Sequence, residues 1–197
     1  MINKITKSII KKILLKFNLN NMDEDIYAYG LFMFLSFVIF GVIAVVFGVI
    51  FNCITESLIF YICFQMLRKY CGGYHAETPS KCEIMTSLII SICIALISTV
   101  EYLRLENILF FTSIIFFIIT YTLSPVDTKE NPLSTEEKEE FQKNSRIIIL
   151  VMLSIVSIAY ISKFYLLFVP CCVSVVLEGV LLLAGKISNS KRKIDIE

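Results

Sequence analysis

The sequence predicts an all-α polytopic membrane protein of about six transmembrane helices, preceded by an N-terminal amphipathic interfacial helix. Three observations predict it. Apolar residues make up 57% of the 197 and charged residues 18%, against about 45–50% and 25% in soluble domains, and the mean hydropathy is +0.79. Uncharged apolar runs reach 21 residues, as in Leu31–Phe51, about what a ~30 Å hydrocarbon layer asks of a helix. The cations, finally, are sorted by segment rather than scattered. Such a chain is not a water-soluble globule, a disordered chain or a disulfide-stapled miniprotein. Continuous apolar runs also argue against a porin-type barrel, whose strands alternate.

Residues 1–25 form the first element. Ile2, Ile5, Ile9, Ile10, Ile13, Leu14 and Phe17 recur at three-and-four spacing between Lys4, Lys7, Lys11, Lys12 and Lys16. That is a helix with one cationic face, suited to the headgroup layer or to packing on the rest of the protein. The lysine-rich start is not followed directly by a short apolar core and a cleavage site, so no cleavable signal peptide is expected.

The six-span domain is expected over 26–186, with a basic tail at 187–197. Its segments are Leu31–Phe51, Ser57–Leu67, Ile84–Val100, Asn107–Val126, Ile147–Ser162 and Phe164–Gly185. The second is short, so it must extend, tilt or enter the bilayer partly. Backbone groups in lipid need internal partners, which makes each span a helix. With six crossings and the N-terminus inside, one side carries sixteen basic residues and the other only Arg104 and Lys163. The positive-inside rule then puts both termini in the cytoplasm.

Seven cysteines, Cys53, Cys63, Cys71, Cys82, Cys93, Cys171 and Cys172, lie mostly within apolar runs. There they behave as small hydrophobes rather than as a disulfide framework. A net charge of +1 gives no sign of nucleic-acid binding. Glu178 is an acid inside the sixth span, either functional or reaching the inner interface.

One connection looks chemical. Residues 68–83, RKYCGGYHAETPSKCE, hold the single histidine, His75, together with Cys71 and Cys82. A free thiol with pKa near 8.5 is only about 3% thiolate at pH 7. Thr78 before Pro79, or Ser80 with Glu83 three residues on, reads as a helix N-cap. Either puts Cys82 in a first turn, where backbone N–H groups and the helix dipole favour an anion. A histidine within reach would complete an activated Cys–His pair. In one continuous helix the two side chains would sit about 10 Å apart along the axis. The pairing therefore requires the Gly72–Gly73 turn and the Pro79 break to fold His75 back over the helix start. A surface histidine is the plain alternative. Zinc held by Cys71, His75 and Cys82 is a weaker one, since C-x3-H-x6-C matches no strong zinc spacing.

The run from Arg68 to Ala76, with Cys82 seven residues after His75, resembles the AgrB (accessory gene regulator B) family of bacterial membrane peptidases. The likeness extends to length, basic N-terminal helix and span number, and the segment 124–133, SPVDTKENPL, is similar to the family's second cytoplasmic loop. The resemblance implies a membrane cysteine endopeptidase of the cell membrane, its active site cytoplasmic. Cys82 would be the nucleophile and His75 the base. It would remove the C-terminal tail of an AgrD-like pro-peptide for quorum sensing, and the peptide would then close into a ring. No cofactor or metal is implied, and a homodimer is compatible. Arg68 is a candidate for contact with the peptide's acidic tail or with lipid phosphate. Backbone N–H groups of Gly72, Gly73 or the start of the third span are candidate oxyanion donors. The charged loop 124–146 offers a short solvated helix capped near Ser134, and contact with a charged peptide tail is its functional alternative. A non-enzymatic peptide exporter or scaffold is the rival from another class.

Overall fold

A computed structural model describes residues 24–74, 78–127 and 134–194. The interfacial helix expected at the N-terminus lies almost wholly outside them. Six helices follow one another: α1 (Glu24–Ile50), α2 (Ile54–Cys71), α3 (Pro79–Leu103), α4 (Glu106–Leu123), α5 (Thr135–Ile161) and α6 (Tyr165–Ile194). The protein is an all-α polytopic membrane protein, and five of these helices are long and apolar enough to cross a bilayer.

The exception is α2, the short second segment. Glu56, Gln65, Arg68 and Lys69 lower its hydropathy, yet its ends reach opposite ends of the bundle. At one end Cys53 and Glu56 share an electrostatic neighbourhood with Glu101, at the close of α3. There, too, the Ser98 hydroxyl donates to the Phe51 carbonyl (3.4 Å) and the Tyr160 hydroxyl to Asn107 Oδ1 (2.8 Å). At the other end Gly72 pairs with Val126, beyond α4. Eighteen residues at 1.5 Å each span about 27 Å, close to the hydrocarbon thickness. Of the courses open to the short segment, it has extended at both ends, to Ile54 and Cys71.

Burial separates the helices by role. Phe34, Phe37, Val42 and Ile50 of α1 stay exposed, a surface suited to lipid. The α6 helix is the core: Phe168, Val169, Cys172, Val175 and Leu182 are buried against α2, α4 and α5. Small residues let helices approach closely, as expected where lipid supplies no hydrophobic drive to association. Gly48 of α1 lies against Ser57 and Ile54 of α2, and Gly179 of α6 against the Phe116 ring. The buried hydroxyls of Ser57, Ser113, Thr120, Ser145 and Ser174 turn back on carbonyls three or four residues earlier. These five hydroxyls are thereby satisfied without a partner helix.

The solvated helix expected near Ser134 and the fifth span are one element. Nothing between Thr135 and Ile161 is Gly or Pro, so no residue stops the helix where charge gives way to apolar sequence. Its start is fixed by a reciprocal capping box: the Glu137 amide donates to Ser134 Oγ (3.2 Å) and the Ser134 amide to Glu137 Oε2 (2.9 Å). Ser134→Ala should cost about 1 kcal/mol of local helix stability. Faster amide exchange confined to the first turn of α5 would register it; an unchanged rate there would refute the cap's role. The last helix likewise continues past 186, through the segment expected as a separate tail, to Ile194.

Candidate active site

The α2 helix ends on two glycines that no other residue could replace without strain. Gly72 has φ 77° and Gly73 φ 116°, conformations where an L side chain is disfavoured. They turn the chain into a short extended piece lying between the loop after α4 and the side of α6. The Val126 amide donates to the Cys71 carbonyl (2.9 Å), the Gly73 amide to the Val126 carbonyl (3.3 Å) and the Tyr74 amide to the Leu181 carbonyl (3.0 Å). Asn189 of α6 holds the second loop by donating its side-chain amide to the Asp127 carbonyl (2.8 Å). Two loops distant in sequence are thus tied to each other and to the core helix.

Arg68 completes this knot. One guanidinium nitrogen donates to the Gly72 carbonyl (2.5 Å) and the other to the Tyr74 carbonyl. A planar fork with fixed donor geometry suits two carbonyls on one strand, which an ammonium could not match. The candidate oxyanion donors at the glycines are also engaged, since the Gly72 amide donates to the Arg68 carbonyl (3.3 Å) and that of Gly73 to Val126.

The second half of the site is the start of α3. Thr78 has extended backbone (φ −129°, ψ 143°), its Oγ1 accepts from the Lys81 amide (3.4 Å), and Pro79 opens the helix. Of the two caps the sequence offers, this is the one used. Proline fits the first helical position because its missing N–H would have no partner there. The Cys82 amide makes the first intrahelical bond, to the Thr78 carbonyl (3.1 Å). Cys82 therefore closes the first turn, where the helix dipole is felt.

The environments of the seven thiols differ. Cys53, Cys71, Cys93, Cys171 and Cys172 are buried. Cys63 is partly exposed, but its sulfur lies 3.7 Å from that of Cys171 across the α2–α6 contact. Cys82 is partly exposed, at the bundle end where the glycine loop lies. Glu178 is fully buried. His75 lies outside the described residues, between Tyr74 and Thr78, which bound it on the two elements just given. Among the described residues no three His, Cys, Asp or Glu side chains gather as metal ligands.

Sequence reasoning missed Leu181, Gly185 and Asn189 of α6 as supports of the loop. It flagged the Ser124–Asp127 segment only as a loop of its own. The overlooked signal was Gly185, a small residue beyond the last bulky ones of the span.

Fold and site together define a polytopic helical membrane protein with a partly exposed cysteine in the first turn of one membrane helix, at the same end of the bundle as a tied glycine loop. The model of the accessory gene regulator B (AgrB) family matches residues 2–183. AgrB-like protein 2 of Clostridium perfringens strain 13 is 31% identical over 171 residues, covering 84% of this chain and 79% of that protein. An AgrB-like protein of strain SM101 is 32% identical over the same length and the same shares. The chain belongs to the AgrB family, which links it to the accessory-gene-regulator quorum-sensing system. No solved structure matches it.

Proposed function

We propose that the protein is a membrane-embedded cysteine endopeptidase that cleaves the C-terminal tail from an AgrD-like pro-peptide and activates the remainder for ring closure. Cys82 is the nucleophile and His75 the general base, working at the cytoplasmic face of the bacterial cell membrane. The observation that carries this reading is the standing of Cys82. It is the thiol that is neither buried nor engaged by another sulfur, and it closes the capped first turn of α3. The orientation rests on charge: Arg68, Lys69, Lys81 and Lys186 belong to the bundle end where the glycine loop is tied, and Arg104 and Lys163 to the other.

The chemistry follows from these groups. The Cys82 thiolate adds to the scissile carbonyl, and the imidazolium of His75 gives its proton to the departing amine as the peptide bond breaks. The product is an acyl-enzyme thioester plus the released tail. The now neutral His75 takes the proton of a nucleophilic side chain of the peptide, typically a thiol, whose sulfur adds to the same carbonyl and expels the Cys82 thiolate. One thioester replaces another, so most of the activation survives. Water would discharge it instead, and a peptide held at the membrane interface favours the internal nucleophile by its effective concentration.

Labelling tests the assignment in the intact protein. A cysteine-reactive analogue of the pro-peptide should modify Cys82 at least about a hundredfold faster than any of the other six thiols, because only an activated, reachable thiolate reacts quickly. Uniform labelling of all seven would overturn the peptidase reading and favour the exporter or scaffold.

A further inference from the structure

Three residues of α6 meet the two loops, and they stand four apart. The Leu181 carbonyl accepts from the Tyr74 amide (3.0 Å). A Cβ built on Gly185 would stand 2.9 Å from the Gly73 carbonyl carbon and from the Tyr74 nitrogen, so the glycine segment crosses the helix there. The Asn189 side-chain amide donates to the Asp127 carbonyl (2.8 Å). Residues four apart share one helix face, and Leu181 and Asn189 lie about 12 Å apart along the axis. Their contacts close a ring. It runs from Asn189 to Asp127, along the chain to Val126, and across to Gly73, whose amide donates to the Val126 carbonyl (3.3 Å). From there it returns through Tyr74 to Leu181. A helix can offer a loop amide the second lone pair of a carbonyl, as Leu181 does, but its own amides are already bonded to the preceding turn. The Asp127 carbonyl can therefore be met from within α6 only by a side-chain donor, and Asn189 is that donor.

We propose that Asn189 is a positioning residue of the site: it holds the second loop against α6, and that loop, through Val126, holds the glycine segment. It acts without touching peptide or thiol. Residues 187–190, expected from sequence as the start of a basic tail, are then a working part of α6 that carries its loop-binding face out to the second loop. Without the Asn189 donor the ring opens. The second loop keeps its bonds to the glycine segment and its start at α4, where the Ser124 amide donates to the Thr120 carbonyl (3.1 Å), but loses its hold on the core helix. The catalytic consequence rests on the peptidase reading above; the positioning itself does not, and can be read without any activity.

Amide exchange in the full chain, reconstituted in lipid, reads the ring directly. Asn189→Asp keeps the shape of the side chain but sets an acceptor against the Asp127 carbonyl. The Gly73 and Val126 amides should then exchange at least about tenfold faster, because a lost bond that leaves its acceptor unpaired favours local opening. The Leu105 amide, bonded to the Val100 carbonyl at the other end of the bundle (3.1 Å), is the reference and should not move. Asn189→Gln keeps a donor and should retain most of the protection. Ser190→Asp puts the same charge at the next position, which is exposed, and should leave both amides protected. Unchanged exchange at Gly73 and Val126 in Asn189→Asp would overturn the proposal, as would equal acceleration in Asn189→Gln or in Ser190→Asp.

If Asn189→Asp quickens Leu105 as well, Asn189→Ala decides. It removes the donor and adds no charge, so Gly73 and Val126 alone should exchange faster. Continued protection of those two, or equal acceleration of Leu105, overturns the proposal. In processing assays Asn189→Asp should lower kcat about tenfold and leave KM within about twofold, as expected for loss of an interaction that is not with the substrate, and Asn189→Gln should recover most of the rate. A raised KM at unchanged kcat would overturn the positioning role and put Asn189 in contact with the peptide. Failure of Cys82 to behave as a nucleophile would remove the peptidase reading and leave the exchange result standing.

Discussion

Cys82→Ala should leave the pro-peptide uncut, with processing reduced on the order of 10⁴-fold or more, while the variant accumulates in the membrane at the normal level. Losing the nucleophile from a covalent mechanism removes the acyl-enzyme route entirely, and what remains is binding alone. His75→Ala should be comparably inactive, because no base then takes the proton of the attacking thiol and the leaving amine has no proton donor. The double variant should be no worse than either single one, since groups that act as a unit do not contribute additively. Folding is not expected to confuse the result. Cys82 is partly exposed, and its amide, which makes the first bond of α3, is untouched by a side-chain substitution. Cys71→Ala supplies the contrast. That sulfur is enclosed, so its loss acts through packing, typically about 1 kcal/mol, and processing should change by less than about tenfold. Normal processing by Cys82→Ala and His75→Ala would refute the mechanism. An equally dead Cys71→Ala would transfer the nucleophile's role to that residue.

The fold was legible because the bilayer imposes a simple rule that sequence states openly. A long, nearly charge-free apolar run has one stable backbone solution in lipid, and five of the six helices carry one. The α2 helix is the instructive case. Its polar residues, Gln65 and Arg68 among them, weaken the apolar signal because they serve the interior: Gln65 donates to the Tyr61 hydroxyl (2.7 Å), and Arg68 ties down the loop. The charge asymmetry nevertheless asked for a helix here, and α2 runs from Ile54 to Cys71, longer at both ends than the apolar run alone. Boundaries were less readable. A change from charged to apolar composition looks like the end of one element and the start of another. A helix, though, stops only where hydrogen bonding or sterics stop it, and α5 meets neither.

The site was legible in part, for a reason of distance in sequence. Thr78, Pro79 and Cys82 interact within one turn, so their spacing alone announces a cap. The partners of the glycine loop come from Val126 and Leu181, dozens of residues away, and backbone amides and carbonyls carry no side-chain signature. Arg68 illustrates the same limit. Its residue type suggested an anion, peptide or lipid, but the guanidinium is taken up by carbonyls of its own chain.

Gly185→Val should separate the loop from the core helix and cut processing at least about tenfold without dissolving the bundle. A Cβ at position 185 would stand 2.9 Å from the Gly73 carbonyl carbon and from the Tyr74 nitrogen. Both are backbone atoms, so no rotamer change can relieve the contact, and overpacking of this kind typically costs about 1–3 kcal/mol. The strain falls on one local bond, the Tyr74 amide to the Leu181 carbonyl, and through Tyr74 on the carbonyl held by Arg68. His75 follows Tyr74 directly, so whatever loosens that anchor loosens the root of the proposed base. Gly185→Ala carries the same Cβ and should act in the same direction, more weakly. Gly30→Ala is the matched control: nothing lies within 4 Å of a Cβ there, and in a helix alanine is favoured over glycine by about 1 kcal/mol, so processing should be unchanged. Two readouts, precursor cleavage and exchange of the Tyr74 amide, should move together across the three variants. Were Gly185→Val to process peptide as fast as Gly30→Ala, the tie between loop and helix would have no part in the reaction. Faster exchange at Tyr74 with full activity would say the same of Tyr74 alone, leaving the capped start of α3 as the one element the chemistry needs.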